Sequence, residues 1–177
     1  MSDIAEQVGI TKAGVYHFIQ GTKQELLFAI ISYGLDRLDA AVIEPARAVA
    51  KAEERLRFIV ASHINLIISG STEVGYNPVT IVVEEVSGLS AKQLQTVNQR
   101  KRVYVDLIRE TLKELQTEGN LKDVDPTVAA FSLLGTILWV ARWYLPTGRL
   151  TSENIAEEIG KIVFGGILKQ PTPKRKK

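Results

Sequence analysis

Ala5, Gly9 and Val15 stand at relative offsets of zero, four and ten, and this spacing reads as a helix-turn-helix. Ala5 is small enough for two helices to cross closely over it. Gly9 falls where the first helix must end with positive φ, which glycine adopts without a Cβ penalty. Val15 turns inward and plugs the second helix onto the first. Thr11, Lys12, Ala13, Gly14, Tyr16 and His17 then lie near the exposed start of the second helix, the end that a recognition helix presents to a DNA major groove. Asp3, Glu6, Lys12 and Lys23 cancel over residues 1–24, so any attraction to phosphate depends on where these charges sit.

Other chemistry is missing from the chain. It has no cysteine, which excludes disulfides, thiolate metal sites and thiol nucleophiles. His17 and His63 are far apart and show no metal-ligand spacing. There is no phosphate-binding glycine run and no Gly-x-Ser-x-Gly elbow. The pairs Glu53–Glu54, Glu84–Glu85 and Glu157–Glu158 are adjacent in sequence and diverge around their helices. No nucleophile–base pair emerges, so the chain reads as a non-enzyme without metal or cofactor. At 177 residues, 45% hydrophobic, 24% charged and +2 net, it can bury a sizeable core, and its charge alone does not argue for nucleic acid. The N-terminus lacks a signal-peptide pattern. The longest apolar stretch, Val128 to Val140, is broken by Ser132, Gly135 and Thr136 and is too short to span a bilayer. These features suit a cytoplasmic protein.

The elements that must position the motif read as helices throughout, about eight of them, with no sheet. Thr22 with Glu25 forms a capping-box pattern for a long helix that fades near Glu44–Pro45. Glu53 to Ser69 carries Leu56, Ile59, Val60, His63 and Ile67 on one face. Gly70 to Pro78 is a loop. Val79 to Val86 has strand propensity but reads as a short buried helix, since a lone strand in a helical chain has no partner. Ser90 to Gln116 is a long amphipathic helix ended by Glu118, Gly119 and Asn120. Asp125 and Pro126 open a helix that runs to Tyr144. Thr151 or Ser152 caps the last one, which ends near Leu168. Residues 170–177 form a basic, Pro-containing tail expected to be disordered.

Residues 2–18 (SDIAEQVGITKAGVYHF) and 23–27 (KQELL) resemble the helix-turn-helix signature of TetR-family (tetracycline-repressor-like) regulators. The resemblance implies an all-α protein. Residues 1–28 would be the DNA-binding domain, 29–169 a ligand-binding and dimerisation domain, and 170–177 the tail. It implies a homodimeric repressor that leaves operator DNA when a small effector binds. Thr11, Lys12, Ala13, Gly14, Tyr16 and His17 would meet bases and phosphates, and Lys23 a phosphate. His17 stands one place early, and the connection to Lys23 carries one extra residue around Gly21–Thr22. Family members carry another helix before the position of Met1, so the resemblance implies an incomplete three-helix unit and poor DNA binding by a chain that starts there. Two alternatives stay open: a helical small-molecule-binding dimer without effective DNA binding, and a multidrug-sensing repressor.

Residues 139–150 (WVARWYLPTGRL) resemble an element of lipid- and steroid-catabolism members of that family, whose effectors are acyl-CoA thioesters. The resemblance implies a long apolar pocket with a basic mouth. Its candidate lining is Ile59, His63, Leu66, Ile67, Tyr76, Val82, Val86, Val103, Tyr104, Leu107 and Trp139, with Arg142 and Arg100, Lys101, Arg102 and Arg109 as candidate anion contacts. His63 reads equally as a hydrogen-bonded core residue, and the Arg100–Arg102 run as a solvated face. At 7% aromatic with basic candidates, the chain leans to an anionic lipid-like effector over a drug. Phe131 to Tyr144 is apolar nearly all round, which calls for burial on all sides. With the amphipathic stretch from Asn154 to Leu168 it makes a candidate dimer interface, through Phe131, Leu134, Leu138, Ile155, Ile159, Ile162 and Val163.

Overall fold

The computed structural model describes residues 22–70 and 87–169. The helix-turn-helix reading of residues 1–21, the buried helix expected at 79–86 and the tail at 170–177 lie outside the described residues.

Helix α1, Lys23–Leu38, opens on the expected capping box. Thr22 Oγ1 accepts from the Glu25 backbone N–H at 3.3 Å, and Glu25 Oε2 accepts from the Thr22 N–H at 2.6 Å. The helix does not fade at Pro45, as its sequence suggested. It widens into a π-helical turn at Asp39–Ile43 and resumes as α2, Glu44–Arg47. Proline has no N–H, and its ring crowds the carbonyl four residues earlier. The wider turn, with Glu44 N–H reaching back to the Asp39 carbonyl, fits that proline into a continuing helix. Val42, Ile43 and Ala46 are buried as a result.

Helix α3, Ala52–Ser69, buries Leu56, Ile59, Val60, His63 and Ile67 as the periodicity predicts, and Ile64, Leu66 and Ile68 besides. Its burial on several sides follows from its position: α4 (Ala91–Thr117), α5 (Pro126–Trp143) and α6 (Ser152–Ile167) all pack against it. Arg55 ties its first turn down. The guanidinium donates to the Val49 and Ala50 carbonyls at 2.9 and 3.0 Å and to both Glu114 carboxylate oxygens at 2.9 Å.

Helix α4 starts on a Ser90–Gln93 capping box. It ends in a Schellman motif, with Asn120 N–H on the Leu115 carbonyl and Gly119 N–H on that of Gln116. Gly119 supplies the φ of +76° that this turn requires. The following loop then fixes the end of α6: Lys122 N–H donates to the Ile167 carbonyl, and Lys169 N–H to that of Asn120. Asp125 caps α5 by accepting from Thr127 and Val128 N–H, with Pro126 at the first helical position. By length and composition α5 could cross a membrane, being 18 residues long with a mean hydropathy of 1.2. This is longer than the apolar stretch anticipated from the sequence. In the fold one side of it, Ala130, Leu133, Ile137 and Val140, is packed against the other helices.

Two apolar clusters result. The larger gathers α2 to α6 around α3. The smaller contains Ile31, Leu35 and Val97, flanked by Leu27, Phe28 and Leu89, and joins α1 to the start of α4.

Candidate effector core and outer apolar face

The fold brings His63 of α3 and Tyr104 of α4 together. Nδ1 of the imidazole lies 2.9 Å from the phenolic oxygen, with the rings edge to face at 5.4 Å between centroids. The residues are 2% and 4% exposed. Burial lowers the His63 pKa from the ordinary 6.5 to about 4 and raises that of Tyr104, so both are uncharged near neutral pH. Among the described residues His63 Nε2 has no hydrogen-bond partner. Ile59, Leu66 and Ile67 are buried on the same helix, and Leu107 is half-buried on α4. Tyr76, Val82 and Val86 lie outside the described residues.

The remaining candidate ligand contacts do not gather there. Trp139 is 63% exposed on the outer side of α5, Arg142 is exposed near it, and Val103 is turned to the surface of α4. The basic run also divides. Arg100 forks between Asp36, at 2.8 Å, and Asp39 of the α1–α2 rod. Arg109 pairs with Asp106 at 2.7 Å. Lys101 is half-buried, and burial lowers its pKa. Arg102 is exposed. Of the DNA candidates only Lys23 lies within the described residues, exposed at the first position of α1.

A groove of about 740 Å³ runs between α3 and α6, away from His63. Its walls carry Arg57 stacked 4.5 Å over the Phe164 ring and paired with Glu53, and Lys161 paired with Glu157 and Glu158. Its charges are neutralised locally, and none of the candidate effector residues lines it.

Helix α5 read from its sequence as apolar on all sides. In the structure the apolar surface separates into two stripes. The inner stripe is packed on the protomer's own core and includes Leu134; Ile155 of α6 is buried as well. The outer stripe carries the exposed Val128, Phe131, Trp139 and Trp143, with the exposed Ser132, Gly135 and Thr136 between them; Leu145 past the helix end and Ile162 of α6 are exposed as well. Leu138, Ile159 and Val163 lie half-buried between them. Val128, Trp143 and Leu145 were not among the sequence candidates. Val128 and Trp143 stand eleven residues before and four after Trp139, which puts them on its helix face, and that spacing is the signal that could have found them; Leu145 lies past the helix end and carries no such signal.

Residues 49–167 match the family model described as "Tetracyclin repressor-like, C-terminal domain". Over 174 residues the chain is 27% identical to the HTH-type transcriptional repressor KstR2 of Mycobacterium tuberculosis, covering 95% of this chain and 82% of that one. Among solved structures it is similar to AibR in complex with isovaleryl coenzyme A and operator DNA, with 36% identity, a TM-score of 0.79, and 92% and 85% of the two chains covered. The structure of the ketosteroid regulator KstR2 of Mycobacterium tuberculosis shares the fold at a TM-score of 0.81, covering 96% of this chain and 84% of that one at 22% identity. The all-α architecture, the matched C-terminal domain and these relatives lead to one assignment: the chain belongs to the tetracycline-repressor-like (TetR) family of transcriptional regulators.

Proposed function

We propose that the protein is a homodimeric transcriptional repressor that binds operator DNA through residues 1–28 and is released by an acyl-CoA effector bound in its helical domain. One observation carries the reading: the 36% identity over 92% of the chain with AibR, whose structure holds isovaleryl coenzyme A and operator DNA. Thr11, Lys12, Ala13, Gly14, Tyr16, His17 and Lys23 are the proposed DNA contacts. Ile59, His63, Leu66, Ile67, Tyr104 and Leu107 are the proposed effector core, an apolar lining with one uncharged polar pair. Phe131 and Trp139 of the outer stripe, with Ile162 of α6, are the proposed dimer face, because large apolar side chains left exposed on the last two helices suit an interface. Such a regulator works in the cytoplasm.

Fluorescence anisotropy against the intergenic DNA beside the gene tests the DNA half. Saturable binding in about the nanomolar range, by this chain or by a version extended upstream to the previous in-frame start, is expected, and Tyr16→Ala should abolish it with the dimer intact. Affinity equal to that for unrelated DNA would sink the reading. So would full affinity in Tyr16→Ala.

A further inference from the structure

The His63–Tyr104 pair has a fixed proton inventory. A neutral imidazole carries one polar hydrogen and a phenol one more. Their mutual bond uses one of the two. Whichever tautomer the imidazole adopts, one donor is left over: Nε2–H if the tyrosine donates to Nδ1, or the tyrosine O–H if Nδ1–H donates to the phenolic oxygen. Among the described residues nothing accepts it. Nε2 is buried without a partner, Ile59 and Ile67 flank His63 one turn away on either side, and Ile108 follows Tyr104 by one turn, all of them buried. Among the described residues, two arginines near Tyr104 on its own helix are paired elsewhere. Arg100 is turned to Asp36 and Asp39, and Arg109 to Asp106. Lys101 precedes Tyr104 by one turn and is half-buried, with its charged form disfavoured by that burial.

We propose that the His63–Tyr104 pair is the polar anchor of the effector site and that it selects an uncharged carbonyl, the thioester of an acyl conjugate, over the carboxylate of the free acid. This rests on the effector reading above. A neutral donor among aliphatic side chains matches a neutral acceptor. A carboxylate in the same place would lose its hydration and gain a single neutral hydrogen bond.

Isothermal titration of the full chain tests it with coenzyme A alone and with acyl-CoA thioesters from acetyl to palmitoyl. The tightest binder is then compared with its S-alkyl thioether, in which a methylene replaces the carbonyl. Its N-acetylcysteamine thioester is compared with the corresponding free acid. The expected result is about a tenfold loss for the thioether, the worth of one neutral hydrogen bond, and a still larger preference for the small thioester over the acid. His63→Leu and Tyr104→Phe should each bring thioester and thioether affinities together. Equal binding of thioester and thioether by the wild-type protein would overturn the anchor while leaving acyl-CoA sensing in place. Failure of every thioester to bind would overturn the effector reading itself, and the anchor with it. The comparison of ligands on the wild-type chain does not depend on the variants folding.

Discussion

The two apolar clusters hold their helices by different means. Around α3, aliphatic side chains from α2 to α6 are buried, and the polar groups admitted there bond within the cluster: Thr111 to the Leu107 carbonyl, and His63 Nδ1 to the Tyr104 hydroxyl. Between α1 and α4, the described residues bury Ile31, Leu35 and Val97, supplemented at the rim by the Arg100 fork onto Asp36 and Asp39 and by Gln24 donating to the Gly88 carbonyl. The first region is stabilised by area removed from water, which salt does not weaken. The second depends in part on half-exposed charges, which salt does weaken. The rod that joins the N-terminal segment to the helical domain is therefore the lightly held part of the described fold. The π turn at Asp39–Ile43 lies where one cluster gives way to the other.

Substitutions can break this contrast or sharpen it. Ile64→Ala, in the large cluster, should cost about 2–5 kcal/mol and lower the melting temperature of the whole domain. Denaturant titration reads it. A loss confined to α1 in hydrogen exchange would mean that the two clusters are not distinct.

The His63 imidazole predicts a pH effect of nearly that size. Its pKa is depressed from 6.5 to about 4 in the folded state, so between those values the unfolded chain binds more protons. Its contribution is complete above about pH 6.5 and is lost as pH falls toward 4, amounting to about 3 kcal/mol at most. Unfolding free energies of wild type and His63→Leu, measured across that window, should differ in slope. Parallel curves would show that the imidazole is not held neutral.

Arg55→Met should cost about 2–3 kcal/mol, because this 13% exposed side chain serves two backbone carbonyls and a carboxylate. That loss should persist at high salt. Gly119→Ala should cost about 1–2 kcal/mol from backbone strain alone, since no atom lies within 4 Å of the added Cβ. Its melting curve should shift without a change in secondary structure. Arg100→Met gives the smallest effect, about 1 kcal/mol or less, and a salt-sensitive one. Hydrogen exchange over residues 23–38 should quicken at low salt while α3 stays protected. Equal protection of both helices would remove the contrast between the clusters.

Much of this fold was legible in local chemistry. The Thr22–Glu25 box, the Asp125–Pro126 start and the Gly119 stop each act within a few residues of sequence, and the helices begin and end there. Pro45 misled because its effect depends on whether the surrounding chain gains enough burial to accommodate a widened turn. The sorting of α5 into two stripes was also hidden. Ser132, Gly135 and Thr136 all fall on the exposed side and were a signal for it, but Phe131 and Trp139 on that side are as apolar as the inner stripe and masked it. His63 and Tyr104 were each visible as candidates, but their hydrogen bond spans 41 residues and exists only once α3 and α4 are packed. Arg100 looked like a candidate anion contact for the same reason: its carboxylate partners lie more than sixty residues earlier.

Release of DNA by an acyl thioester tests the central claim most directly. The protein would be held on labelled intergenic DNA at modest salt and titrated with the tightest-binding acyl-CoA, with coenzyme A and the free acid as controls. The account predicts that anisotropy falls to that of free DNA at thioester concentrations near its affinity for the protein, with neither control matching it. DNA that stays bound at saturating thioester, with thioester binding confirmed by calorimetry, would contradict it.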